Sequence, residues 1–220
     1  MAKKVFIGVG HGGSDPGAVA NNLKEKDLNL EIAKACRDEL KKYGVSVKLS
    51  RTKDENDAIQ EEIKECNKFS PDLALDIHNN AGGGDGAEVY YFSGGGKSKT
   101  MAQNILDEIV NAGQNSRGIK TKLDKSGKDY FGFIREVVAP SVIVECAFVD
   151  NKKDIKIIAT ASEQKAMGVA LAKGVLKTLK INTVKDTKKY TVIVGENFKK
   201  SEAEKIVENL KKLGYPATIK

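Results

Sequence analysis

The 220-residue chain has no tryptophan, four prolines, three cysteines and two histidines, and these scarcities exclude several classes of protein. Cys36, Cys66 and Cys146 are far apart, odd in number and never in a Cys-x-x-Cys pair, so neither a disulfide framework nor a thiolate zinc knot is expected. Folding in a reducing compartment fits. No stretch approaches about 18 uncharged apolar residues, and the opening apolar run is broken by Gly10 and His11, which argues against a membrane span and a secretion signal. With 40% hydrophobic and 30% charged residues the composition is globular, which excludes a disordered chain, collagen and a coiled coil. The net charge of +7 favours polyanions, and nucleic acid and an anionic cell wall satisfy it equally.

What is present alternates strands with helices. Residues 5–9 form a short apolar run closed by Gly-His-Gly-Gly, as a buried strand entering a loop would. A helical stripe starts at Asp27, the expected N-cap, and ends near Gly44. Strands follow at 45–51, 73–78, 87–92 and 140–148, and helices at 57–69, 99–112 and 161–179. The alternation predicts an α/β domain over residues 1–181, a mostly parallel twisted sheet with helices on both faces. Residues 182–189 read as a polar linker, and residues 190–220 as a small C-terminal β-α-β unit whose helix, 201–213, has Ser201 as N-cap and Glu204 in the capping-box position. Residues 185–220 hold nine lysines against five acidic residues, the denser positive patch.

Both histidines, His11 and His78, fall at the carboxyl ends of predicted strands, where open α/β sheets place their sites. Two imidazoles and one carboxylate leave a fourth tetrahedral position for water, the arrangement a catalytic zinc needs. The third ligand must come from a nearby loop, which offers Asp15, Glu25 and Asp27; spacing does not choose among them. Glu145 sits inside an apolar run, where an ionised carboxylate requires a partner. It is either a buried ion pair, with Arg135 as the candidate, or a proton carrier facing the metal. Gly8-x-Gly10-x-x-Gly13 spells a dinucleotide fingerprint, but no helix opens directly after it and His11 lies within it. A nucleophilic role for Cys146 would need a histidine base, and both histidines are better used by metal.

Four segments in order, Gly10-His-Gly-Gly-Ser-Asp-Pro-Gly-Ala18, Lys24-Glu-Lys-Asp-Leu-Asn-Leu30, Asp76-Ile-His-Asn-Asn-Ala81, and Ile134-Arg135 followed by Pro140-Ser-Val-Ile-Val-Glu-Cys-Ala-Phe148, resemble the motifs of the zinc-dependent N-acetylmuramoyl-L-alanine amidases of the type 3 class. The resemblance covers about residues 3–180. It implies a phosphorylase/hydrolase-like fold, with Zn2+ held by His11, Glu25 and His78 and with Glu145 catalytic. The segment 19–23 lacks glycines that the family often has, Asp76 replaces a common Ser, and Cys146 replaces a common Gly. Asp76 shares a strand face with His78, so it is either a partner orienting that imidazole or a structural charge.

The resemblance further implies that bacterial peptidoglycan, not nucleic acid, is the partner, and that the bond cut joins N-acetylmuramic acid to L-alanine. An amidase without a signal peptide and with a basic tail resembles a bacteriophage endolysin, made in the host cytoplasm and acting on the wall after release. The rivals are a zinc peptidase cutting within the stem peptide and a catalytically dead wall-binding protein. Residues 190–220 resemble the first half of a sporulation-related repeat, a wall-binding module. A unit this small cannot bury enough apolar surface alone, so two copies are expected to pair as a homodimer, the alternative being docking on its own catalytic domain.

Overall fold

The computed structural model describes residues 2–183 and 199–212. The chain divides into two units, residues 1–183 and 184–220. In the first, the elements run β1 (Lys4–Val9), β2 (Val19–Ala20), β3 (Leu23–Lys24), α1 (Glu25–Lys42), β4 (Ser46–Leu49), α2 (Ile59–Phe69), β5 (Leu73–Asn80), β6 (Ala87–Tyr91), α3 (Gly96–Asn111), β7 (Ser116–Lys120), α4 (Gly132–Glu136), β8 (Ser141–Phe148) and α5 (Ala161–Thr178). The six-stranded sheet has the order β4-β1-β5-β8-β6-β7. Every neighbouring pair is parallel except β6 and β8, so β6 and β7 run against the other four strands. This is the expected α/β architecture.

Alternation along the strands gives the sheet two different faces. On one, Val5, Ile7, Leu73, Leu75, Val142 and Val144 join the main core with Ile32, Leu40, Ile105, Met167 and Leu171 of α1, α3 and α5. Helix α5 packs against both α1 and α3. It can do so closely because a Cβ on Gly168 would lie 2.5 Å from the Ile32 carbonyl oxygen, and one on Gly174 2.5 Å from Ile105 Cα. Thr160 caps α5 in a full capping box with Glu163. On the other face Phe6, Ala74 and Ile143 meet Ile63 and Cys66 of α2 and Phe133 and Ile134 of α4, a smaller core. Toward the carboxyl ends of the central strands this second face turns polar, and there the candidate site lies.

Three sequence expectations change. Helix α1 begins at Glu25, not Asp27: Lys24 occupies the N-cap without a side-chain cap bond, and Asp27 is an exposed first-turn residue. Asn21 and Asn22, both at positive φ, turn the β2–β3 hairpin that leads into α1, where the sequence reading had only a loop. In the second unit α6 spans Lys200–Lys212, with Glu202 accepting from the Lys199 backbone N–H, so Ser201 lies inside the helix and not at its cap. Ala203, Ile206, Val207 and Leu210 form its half-buried stripe. The two strands expected at 190–195 and 215–219, and nearly all of the linker, lie outside the described residues.

Candidate metal centre and its acid partner

His11 follows β1 in a left-handed conformation, φ 63°, a backbone state costly for a residue with a Cβ and characteristic of functional sites. The loop is held to this shape by buried donors. Arg51 Nε donates to the Val9 carbonyl, and Arg51 Nη2 to the carbonyls of Gly10 and Lys26. Asn29 Nδ2 donates to the same Gly10 oxygen, and Lys26 Nζ to that of Gly13. Asp15 Oδ2 lies 2.8 Å from His11 Nδ1, which turns Nε2 inward.

Glu25 opens α1, where the helix N-terminus favours a negative charge. Its side chain is 5% exposed and lies between the two rings: Oε2 is 3.2 Å from His11 Nε2, and Oε1 is 3.1 Å from His78 Nδ1. The backbone N–H groups of Ala18 and Asn79 donate to the same carboxylate. A register shift in the β5–β8 pairing between His78 and Asn80 accompanies the Asn79 bond. Burial pushes the Glu25 carboxyl up, but its hydrogen bonds to His11 and His78 outweigh this and hold it well below the usual carboxylate range. The Glu25 hydrogen bond raises the His11 pKa against its burial. For His78, burial works downward and is outweighed by Asp76 and Glu25, so its pKa stands well above the ordinary value.

The donor atoms of His11, Glu25 and His78 lie within 4.8 Å of one another, a group able to hold a metal ion. Asp15 and Asp27, the other acids in the loop, take different places: Asp15 orients His11 from behind, and Asp27 points to solvent. Asp76 Oδ2 lies 3.1 Å from His78 Nε2 and so orients the second ring. A Cβ on Gly10 would stand 2.2 Å from His78 Cε1, so the ring fills space that only glycine leaves.

Glu145 pairs in register with His78 across the parallel β5–β8 ladder, which puts both side chains on the same face. Among the described residues its carboxylate has no hydrogen bond or ion pair, and burial pushes it up to about 7. His78 opposes that rise, while Glu25, Glu88 and Asp76 add to it. Arg135 is not its partner. That guanidinium binds the carbonyls of Asp129 and Tyr130 and the carboxylate of Glu136. All three cysteines are buried, and burial pushes the Cys66 thiol up to about 12 and that of Cys146 well above its ordinary value, as inert core groups.

Sequence reasoning missed two neighbours of this centre. Glu62 of α2 is buried beside Asp76, and burial raises its pKa well above the ordinary carboxylate range. Glu88 of β6 stands opposite Glu145 in the antiparallel β6–β8 register and receives Tyr90, Arg117 and Lys120. Its position inside a short strand, as a charge among apolar residues, was the one available signal.

Residues 5–177 match the family model described as N-acetylmuramoyl-L-alanine amidase. The chain is 33% identical over 220 residues to the sporulation-specific N-acetylmuramoyl-L-alanine amidase of Bacillus subtilis (strain 168), covering 98% of this chain and 84% of that protein. It is 31% identical over 185 residues to the endolysin of Bacillus phage SPP1, covering 82% and 68%. Among solved structures, the catalytic domain of CwlV, an N-acetylmuramoyl-L-alanine amidase from Bacillus (Paenibacillus) polymyxa var. colistinus, superposes with a TM-score of 0.74 at 27% identity, covering 82% of this chain and 99% of that one. With a family match across most of its length and a relative one-third identical along nearly all of it, the chain belongs to the N-acetylmuramoyl-L-alanine amidase family.

Proposed function

We propose that this protein is a zinc-dependent peptidoglycan amidase of the endolysin kind, cutting the amide between N-acetylmuramic acid and L-alanine. The observation that carries the reading is the convergence of His11, Glu25 and His78 beside a half-buried Glu145 that has no partner among the described residues. The donor set suits zinc: two imidazoles and one ionised carboxylate, each ring held from behind by an aspartate. When bound, Zn2+ supplies a Lewis acid that polarises the amide carbonyl and acidifies water.

The rest of the chemistry belongs to the chain. Asp15 and Asp76 keep the two rings in the tautomers that turn Nε2 of His11 and Nδ1 of His78 inward. Glu145, which has no hydrogen bond or ion pair among the described residues, accepts a proton from the attacking water at its carboxylate and passes it to the departing amide nitrogen.

The test is the identity of the new amino terminus. Digestion of purified peptidoglycan by the zinc-loaded protein should free N-terminal L-alanine and nothing else. Other amino termini would identify a peptidase cutting within the stem peptide. Full lytic activity in Glu145→Ala would remove the catalytic assignment, and no release of any kind by the wild type would favour a wall-binding protein.

Residues 190–220 are assigned to wall binding and to pairing between two chains. In support, the B. subtilis sporulation-specific amidase matches 98% of this chain, so the similarity continues through the tail. No helix among the described residues is long and apolar enough to cross a membrane. Sedimentation of the full chain as a dimer, and of residues 1–181 as a monomer, is the expected result; a monomeric full chain would leave docking in cis.

A further inference from the structure

The polar face carries a row of charged side chains beyond the catalytic pair. His78 on β5, Glu145 on β8 and Glu88 on β6 follow one another in register across adjacent strands, and β7 then supplies Arg117 and Lys120, both bound to Glu88 Oε2. Glu88 is buried, 4% exposed at its side chain, and the hydrogen bonds from Lys120, Arg117 and Tyr90 outweigh its burial and keep it ionised. The cations are not used up by it. Arg117 is 36% and Lys120 34% exposed. Arg117 engages only Nε with Glu88, its guanidinium stacking 4.9 Å over the Phe148 ring, so among the described residues its terminal nitrogens have no protein acceptor. A guanidinium pinned at Nε by a buried acid, with its remaining N–H groups turned outward, is preorganised for an anion.

The direction of the substrate follows from the proposed amidase reaction, on which this inference rests. Glu145 must reach the departing nitrogen, so that nitrogen lies over β8 and the released peptide continues away from the metal, over β6 toward β7. Strands are about 4.8 Å apart, which places the cationic heads roughly one to two spacings from Glu145. Two extended residues span about 7 Å. The group arriving there is the free carboxylate of the glutamyl residue that follows L-alanine in stem peptides.

We propose that Arg117 and Lys120, anchored on Glu88, form a subsite for that carboxylate and make the protein selective for stem peptides whose second residue is acidic. Two cations face one carboxylate at this end of the row, and the substrate's charge completes the balance.

The experiment compares kcat/KM for two soluble fragments, N-acetylmuramoyl-L-alanyl-γ-D-glutamyl-L-lysine and its D-isoglutaminyl counterpart, in which the free α-carboxylate of the second residue is an amide. Wild type should prefer the acid by roughly 10- to 100-fold, as one or two charge-assisted hydrogen bonds imply, chiefly through KM. In Arg117→Gln/Lys120→Gln the preference should fall to about one. Arg117→Lys, which keeps a cation on Glu88 but loses the fork, should retain part of it. The ratio within one preparation is independent of the fraction correctly folded. A purely structural role for the two cations would depress both substrates alike and leave the ratio unchanged, overturning the proposal, as would a wild-type ratio near one. Cleavage of whole peptidoglycan but of neither fragment would also count against it, because the recognised carboxylate is present in the fragment. Failure to free L-alanine amino termini from fragments and wall alike would overturn the amidase reading itself.

Discussion

Asp76 Oδ2 lies 3.1 Å from His78 Nε2, while Nδ1 of the same ring lies 3.1 Å from Glu25 Oε1. The aspartate thus decides which nitrogen keeps its hydrogen and which is left for a metal. In Asp76→Asn the demand for a hydrogen on Nε2 is lost, and zinc affinity should fall roughly 10- to 100-fold. Competition against a chromogenic chelator measures this, and an unchanged affinity would reduce Asp76 to a structural charge.

Glu145 gives a pH signature in the metal-free protein. A carboxyl at about 7 when folded and near 4.3 when unfolded binds more protons in the native state between those values. Its contribution to stability is therefore complete below about 4.3 and is lost as pH rises to about 7. Glu145→Gln has no such dependence. The melting temperature of the variant relative to wild type should climb from pH 5 to pH 7 and then level off; parallel curves would show that Glu145 ionises normally. With zinc present, the same variant should lose about 10^2- to 10^4-fold in activity while binding the metal as before.

Metal binding should be visible as stability. At free zinc a hundredfold above Kd, the native state gains about 2.7 kcal/mol, so calorimetry should show a rise in melting temperature that chelation reverses. His11→Ala, Glu25→Ala and His78→Ala should each erase that rise. A rise that persists in all three would place the ion elsewhere.

Gly10→Ala introduces a methyl group 2.2 Å from His78 Cε1. The ring must move, taking Nδ1 away from Glu25. The variant should keep its far-ultraviolet circular dichroism but lose most of its lytic activity and its stabilisation by zinc. Retention of both would mean that the His78 ring has room to spare.

Much of this site was legible because its residue types are rare in the chain. With two histidines in all, both beside predicted strand ends, the metal reading needed no long-range information, and Glu145 stood out as a charge in an apolar run. The choice of Glu25 over Asp15 and Asp27 was not available from spacing, since it depends on the Asn21–Asn22 turn that starts α1 two residues early. Strand β7 escaped notice because Ser116-Arg-Gly-Ile-Lys120 is an edge strand without an apolar face, with Gly118 at φ 86°. The Glu88 cluster depends on a pairing between β6 and β8 that no local pattern encodes.

The reversed course of β6 has a geometric effect on the charged face of the sheet. Its first residues, rather than its last, lie beside the ends of β5 and β8, so Glu88 comes level with Glu145. Had β6 followed its neighbours, the same acid and the two cations it tethers would sit near the opposite rim of the sheet. One antiparallel seam thus extends the row of charged side chains sideways by two strands, and needs no extra loop to do so.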